Sequence, residues 1–442
     1  MQQMLKQWIV TLLTLEARVV LSRTRPFVVG VTGSVGKTTT KDAIAAVLSI
    51  SDGDLLRKSE KSFNSELGIP LTILGLSNAW YNPFLWALRL AKGFFLALFP
   101  GHFPKTLVLE IGADHPGDIA RVTSWLHPDI AVVTRLPDRP VHVEYFSSPE
   151  EVRKEKAELV RALRPDGVFV ANADDPAVLA LAPLTTARML TYGFSEGAMM
   201  RGSHPTVLYE ERSGTRMPTG MSFVLEWEGT STEVLLRGTL GVQSCSAALA
   251  ALAVGSVRGL EMKDMVAALA ALALPPGRMR MIEGSGNTTI IDDSYNSSPV
   301  AAEAALEALR FLEGNHKIAM LGDMLELGDY SQEEHWKIGR VAGGFVDLLV
   351  VVGERARMIA EAAKTAGLPE GKIRTFLNSE DAGKWVVQEV KPGDLILVKG
   401  SQGSGVNMIR MERAVKVLMA HPDQAPDLLV RQEPEWLAQY HA

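Results

Sequence analysis

From Phe27 onward the apolar residues fall into two alternating patterns. Short, nearly continuous runs such as "FVVGVTG" (27–33), "TLVLEIGA" (106–113), "IAVVTRL" (130–136) and "GVFVANAD" (167–174) form the first. Between them, in "KDAIAAVLS" (41–49), "DIARVTSWL" (118–126) and "EEVRKEKAELVRAL" (150–163), apolar positions recur at helical spacing. Runs of the first kind suit strands buried on both faces. Their alternation with helices predicts a parallel sheet covered on both sides. Thr191 to Gly241 breaks the pattern, because "TVLYEERS", "SFVLEWEG" and "STEVLLRG" alternate apolar and polar positions and carry turn residues. That predicts an antiparallel excursion. Two alanine-rich helical stretches follow, then "LPPGR" (274–278) as a linker. The strand–helix alternation restarts at "TTIIDDSYN" and continues through "KIAMLGDM", "DLLVVVGE" and "DLILVKGS". The expected fold class is α/β, with a mostly parallel central sheet in residues 26–276 and a smaller Rossmann-like α/β unit in 277–442.

Two apolar segments do not fit this frame. "MLKQWIVTLLTLEARVVLSR" (4–23) starts like a signal peptide, but no small-residue cleavage site follows. Glu16 and Arg18 interrupt it too early for a membrane span. Residues 1–25 are therefore expected to form an amphipathic helix, either packed on the protein or lying on a membrane surface. "NAWYNPFLWALRLAKGFFLALFPGHFPK" (78–105) is an apolar insertion rich in Phe, Trp and Leu, with Arg89 and Lys92 about one turn apart. A core helix and an exposed amphipathic helix both fit it.

Composition narrows the class. A chain of 442 residues exceeds a single core. With 45 basic and 51 acidic residues and a net charge of -6, nothing points to nucleic acid as a partner. The single cysteine, Cys245, excludes an internal disulfide framework and a cysteine-only metal site. It fits a reducing, cytoplasmic setting, with membrane association left open.

"VVGVTGSVGKTTTKDAI" (28–44) carries the first chemistry. It reads as strand, glycine turn and helix start, and Gly36-Lys37-Thr38 completes a phosphate-binding loop whose spacing from Gly33 is shorter than the usual Walker A. Backbone N–H groups of Gly33, Ser34, Val35, Gly36 and Thr39 would cradle phosphate at a helix N-terminus. Lys37 would meet the terminal phosphates and the Thr38 hydroxyl would hold Mg²⁺. Glu110 ends a hydrophobic strand at the sheet edge where α/β folds bind ligands, and its oxygens suit Mg²⁺.

The spacing "TGSVGKTTTK" resembles the loop of the Mur ligases and folylpolyglutamate synthetases. The resemblance runs from about Val28 to Ala414, through "FNSELGIPLTIL", "LVLEIGADHPGDI", "VHVEYFSSPEEVRKEKAEL", "GRMRMI", "IDDSYNSSP", "LGDMLELG" and "DLILVKGSQ". "DDSYN", "GDMLELG" and "VKGS" are most similar to the branch that adds D-alanyl-D-alanine to UDP-muramoyl-tripeptide. The resemblance implies ATP and Mg²⁺ as cofactors, and His142 and a carbamylated Lys156 as further metal ligands and catalytic groups beside Lys37. Lys154 lies close enough to Lys156 to blur that assignment, and Glu158 is expected to orient the segment. Arg278 would touch phosphate, Asp293 the ribose, and Tyr295 and Asn296 would line the nucleotide pocket. Asn64, Asp323, Glu326 and Ser401 would face the substrates, with His335 nearby.

The implied function is amide formation through an acyl phosphate, joining D-alanyl-D-alanine to a muramoyl-peptide cell-wall precursor. A ligase for another carboxylate and amine, an accessory Mur-like subunit that binds ATP without catalysis, and a phosphotransferase remain open. The expected partners are small molecules, and a monomer is expected. Three departures stand out. Gln243, Ser244 and Ala247 occupy the positions of the family's His, Asn and Asn in G-x-H-N-x-x-N, and Gln402 replaces the arginine of "KGSR". Only about 25 residues precede the first strand, where this branch of the family carries a UDP-binding domain.

Overall fold

The computed structural model describes residues 2–60, 65–79, 82–140, 142–212, 214–402 and 409–437. Asn64, Trp80 and the "GSG" after Gln402 lie outside the described residues.

The first sheet is built from β1 (Phe27–Thr32), β2 (Leu56–Lys58), β3 (Thr106–Glu110), β4 (Ile130–Val133), β5 (Val168–Asn172), β6 (Arg188–Gly193), β7 (Met200–Arg212), β8 (Thr215–Trp227) and β9 (Thr230–Arg237). Among the described residues these nine strands lie in the order β2-β3-β1-β4-β5-β6-β7-β8-β9. Pairing is parallel from β2 to β7 and antiparallel between β7, β8 and β9. The excursion expected from the alternating stretch is thus an extension of the parallel sheet. β1 sits between β3 and β4, with Gly30 opposite Leu109 on one side and Ala131 on the other. Its successive residues serve two cores. Val29 and Val31 join Ile44, Val47 and Leu252 on one face, and Val28 joins Leu107, Leu109 and Leu159 on the other. This is why the strand is apolar at nearly every position.

The second sheet comprises β10 (Arg280–Gly284), β11 (Thr288–Asp293), β12 (Lys317–Gly322), β13 (Leu348–Val352), β14 (Ile373–Phe376) and β15 (Leu395–Lys399). Their order is β10-β11-β15-β12-β13-β14, parallel except for β10 against β11. The mixed α/β architecture with two sheets agrees with the class expected from the hydrophobic pattern.

Both unplaced apolar segments are helices that pack together. α1 (Gln2–Thr24) rests its Leu13, Ala17 and Val20 on the protein, all fully buried. The helix α2 (Lys37–Asp52) follows the phosphate loop, and the short α3 (Gly68–Leu74) lies under α1. α4 (Pro83–Leu98) forms the centre of the insertion. Asn82 starts it by accepting hydrogen bonds from the Phe84 and Leu85 N–H groups, with Pro83 in the first turn. Gly93 lets it approach α1, since a Cβ there would lie 2.1 Å from Glu16 Oε2. Arg23 of α1 donates to the Ala97 and Leu98 carbonyls at 2.8 and 2.9 Å, which satisfies the C-terminal end of α4. Each helix has a buried face and an exposed one, so the insertion is neither wholly core nor wholly surface. Among the described residues no helix is long and apolar enough to cross a membrane.

Candidate functional site

The C-terminal ends of the parallel strands of both sheets face a cleft of about 1220 Å³. One wall begins where β1 runs into α2. Gly33 has φ 138°, and a Cβ on it would fall 2.0 Å from Thr134 Oγ1 at the end of β4. Gly36 has φ 84°, the left-handed conformation that turns the chain into α2. Both glycines are therefore required by the backbone, and Ser34 to Thr40 line the cleft, with the Ser34 N–H donating to the Arg135 carbonyl at 2.8 Å. Burial lowers the Lys37 pKa, Arg278 adds to that, and Glu110 and Asp114 oppose it. Glu110 is 2% exposed, and among the described residues its buried Oε2 has no hydrogen-bond partner.

Lys156 projects from α6 (Pro149–Arg161) into the same wall. It is buried, whereas Lys154 is exposed, which separates the two lysines that the sequence left ambiguous. Burial lowers the Lys156 pKa to about 7, with the charge of Lys37 acting in the same direction and Asp114 and Glu155 opposing. Glu155, rather than Glu158, fixes the segment. Its carboxylate accepts from the Gly117, Ile119 and Ala120 N–H groups at 2.8, 2.6 and 3.1 Å, capping the start of α5 (Asp118–Thr123). Glu158 instead faces Arg161 at 3.3 Å.

The opposite wall comes from the second sheet and its linker. Arg278 crosses the cleft and donates from Nη2 to Thr38 Oγ1 at 2.9 Å, with its guanidinium 4.1 Å from the Tyr295 ring centre. Asp293, at the end of β11, accepts from Lys399 Nζ at 2.6 Å and from the Met279 N–H at 3.1 Å. Lys399 also donates to the Asn296 carbonyl at 3.0 Å. His142 has φ 67°, and its Nδ1 lies 2.8 Å from Glu326 Oε2 while Nε2 is 3.6 Å from Asp114. Burial raises the Glu326 pKa, but its contact with His142 outweighs that and leaves it lowered. His142–Glu326 already joins the two walls, and Arg139 adds a further bridge, to Glu333 and Glu334 at 2.8 and 2.6 Å.

The structure thus gathers the expected Ser34, Val35, Lys37, Thr38, Glu110, His142, Arg278, Asp293, Tyr295, Asn296, Glu326 and Ser401 around one cleft. Lys156 enters this group through its charge coupling to Lys37 and Asp114. Three expected residues do internal work. Asp323 accepts from the Ala356 N–H at 2.7 Å. Ser401 accepts from the Leu325 N–H and donates to the Ser297 carbonyl, each at 3.1 Å. His335 accepts at Nε2 from the Met324 N–H at 2.9 Å, and its Nδ1 lies 2.6 Å from the Ser331 carbonyl, which fixes a neutral ring with the proton on Nδ1. At the departures, Ser244 turns inward onto the Leu240 carbonyl, and Gln402 accepts from Arg431 at 3.0 Å. Sequence reasoning missed Lys399, Asp114, Glu155 and Arg431. Arg431 also donates to the Tyr295 carbonyl at 2.6 Å and lies 5.2 Å from its ring centre.

Comparison with known proteins agrees with this geometry. The Mur ligase middle domain family matches residues 31–85 and 93–255, and the Mur ligase, glutamate ligase domain family matches residues 277–402. The chain is 29% identical over 397 residues to the UDP-N-acetylmuramoyl-tripeptide--D-alanyl-D-alanine ligase of Bacillus subtilis, covering 89% of this chain and 76% of that protein. It is 34% identical over 406 residues to the ligase of the same name from Mycobacterium tuberculosis, covering 86% and 72%. The MurF ligase of Thermotoga maritima, solved in complex with ADP, superposes with a TM-score of 0.73 at 26% identity, covering 94% of this chain and 84% of that one. With two successive domain families matched across the cleft and relatives aligned over most of its length, the chain belongs to the Mur ligase family.

Proposed function

We propose that the protein is an ATP- and Mg²⁺-dependent amide ligase of the cytoplasm, acting as a monomer to join D-alanyl-D-alanine to a muramoyl-peptide precursor. The observation that carries this reading is the Arg278–Thr38 contact, which brings the phosphate loop and the second unit's phosphate-facing arginine to one point. A carboxylate is a poor acyl donor, because oxide would have to leave. In the proposed reaction a substrate carboxylate oxygen attacks the γ-phosphorus and the bond to ADP breaks. The amine then attacks the acyl carbon, the C–O bond breaks, and phosphate leaves with the carboxylate's oxygen while the amine proton passes to solvent. Lys37 and Arg278 neutralise the charge on the phosphoryl group in transit. Tyr295, braced by Arg431, and Asp293, braced by Lys399, hold the nucleotide. Glu326 orients His142.

The residues fit Mg²⁺. Glu110 Oε2 is a buried carboxylate oxygen with no partner among the described residues, and Thr38 supplies a hydroxyl beside the phosphate loop. Among the described residues no three His, Cys, Asp or Glu side chains cluster as a metal site. A full ligand set would therefore draw on Glu110, Thr38, His142, ATP oxygens and a carbamate on Lys156. When bound, the ion would screen phosphate charge and hold the phosphoryl group in line.

Phosphate release from the purified protein should require the muramoyl-peptide and D-alanyl-D-alanine together. Release with ATP alone at the same rate would remove the ligase reading, and binding of ATP with no release under any pairing would favour the accessory subunit.

A further inference from the structure

We propose that the outer face shared by α1 and α4 docks the protein on an anionic lipid membrane. This inference stands apart from the ligase reading and would survive its failure. α1 carries three stripes at the roughly 100° per residue of a helix. Ile9, Leu13, Ala17 and Val20 form the buried stripe. Gln7, Thr11, Thr14, Arg18 and Ser22 form a polar one. Leu5, Trp8, Leu12, Leu15 and Val19 form a third, apolar and exposed, with Trp8 at 65%. Glu16 and Arg23, both turned toward α4, show that this third stripe lies on the α4 side. α4 in turn points Phe84, Leu88, Phe95 and Phe99 outward, with Phe84 at 86%.

Thirteen of the twenty large apolar residues exposed among the described residues belong to these two helices and the residue that follows α4. A patch of that kind marks an interaction surface in a protein that is otherwise ordinary in composition. Residues before 31 and residues 86–92 also fall outside the matched family ranges.

Charge selects the occupant. Residues 1–25 and 82–105 carry +3 each, so the rest of a chain of net charge -6 carries -12. The one acidic residue in the two helices, Glu16, faces inward against Gly93. Lys92 lies within the outer face of α4, and Arg18 flanks the exposed stripe of α1. A second copy docking by this face would bring two like charges together. An anionic bilayer matches both the apolar stripe and the basic residues, and it repels the acidic remainder, which orients the molecule.

The test is sedimentation of the full-length protein with vesicles of phosphatidylcholine alone and of phosphatidylcholine and phosphatidylglycerol in equal parts. Binding should be at least about tenfold stronger to the anionic vesicles and should weaken with salt. The triple variant Phe84→Ser, Leu88→Ser, Phe95→Ser should lose about tenfold or more while keeping its melting temperature and its phosphate release. Arg18→Glu with Lys92→Glu tests the charge independently, should the serine variant fail to fold, and should remove the preference for anionic vesicles. Three results would overturn the inference: no sedimentation with anionic vesicles, equal binding to neutral ones, or concentration-dependent self-association without lipid that the serine changes abolish.

Discussion

At pH 7.5 an ordinary lysine is about 0.1% neutral amine, whereas one with a pKa of about 7 is roughly three-quarters neutral, a gain of roughly 600-fold. Only the neutral amine attacks CO₂, so the position of Lys156 raises its reactive fraction by about that factor. The sign follows from burial, which penalises the ammonium form. Lys156 is charged and unreactive below about pH 7 and neutral above it. Carbamylation can be read with ¹³C-bicarbonate by NMR of the purified protein. A protein-bound carbamate signal should grow between pH 6 and pH 8 and be absent in Lys156→Ala. That variant should lose ligase activity, and short carboxylates should restore part of it by supplying the missing oxygens. A signal that persists in Lys156→Ala, or no signal at pH 8, would show that Lys156 does not carry a carbamate.

Lys37→Ala should lower phosphate release by roughly 10²-fold or more with the melting temperature unchanged, since one donor to developing phosphoryl charge is removed; unaltered release in a folded variant would exclude Lys37 from the reaction. Arg278→Ala should raise the KM for ATP about tenfold and make small-angle scattering profiles with and without ligands converge on a more open form, because the contact that ties the phosphate loop to the 274–278 linker is gone. Glu155→Ala should destabilise by about 2–4 kcal/mol in urea titrations, as three backbone N–H groups at the start of α5 lose their acceptor; a change below about 0.5 kcal/mol would mean that water replaces it fully.

The parts legible in sequence were those whose determinants are local. β1, the glycine turn and Lys37 lie within a dozen residues, and Gly33 and Gly36 each answer a backbone need. The switch from parallel to antiparallel pairing after β7 was visible because the period of the apolar residues changes. Contacts between distant segments were not visible. Arg431 reaches Tyr295 from 136 positions away, with no motif to announce it. Asp323 and His335 sit in a recognisable segment, yet they serve backbone groups of their own domain, a distinction set by side-chain direction. The sequence left packing and a membrane surface both open for α1 for a related reason. Its apolar residues run around most of the helix, and only the place where α4 lies divides them into a packed stripe and a free one.

The acyl phosphate is the step on which the proposed function depends, and the fate of one oxygen atom tests it. With the substrate carboxylate labelled by ¹⁸O, turnover in unlabelled water should release phosphate carrying one ¹⁸O, because the oxygen that attacks the γ-phosphorus leaves with phosphate when the amide forms. Mass spectrometry of the released phosphate reads this directly. Unlabelled phosphate formed alongside amide product would contradict the acyl phosphate route.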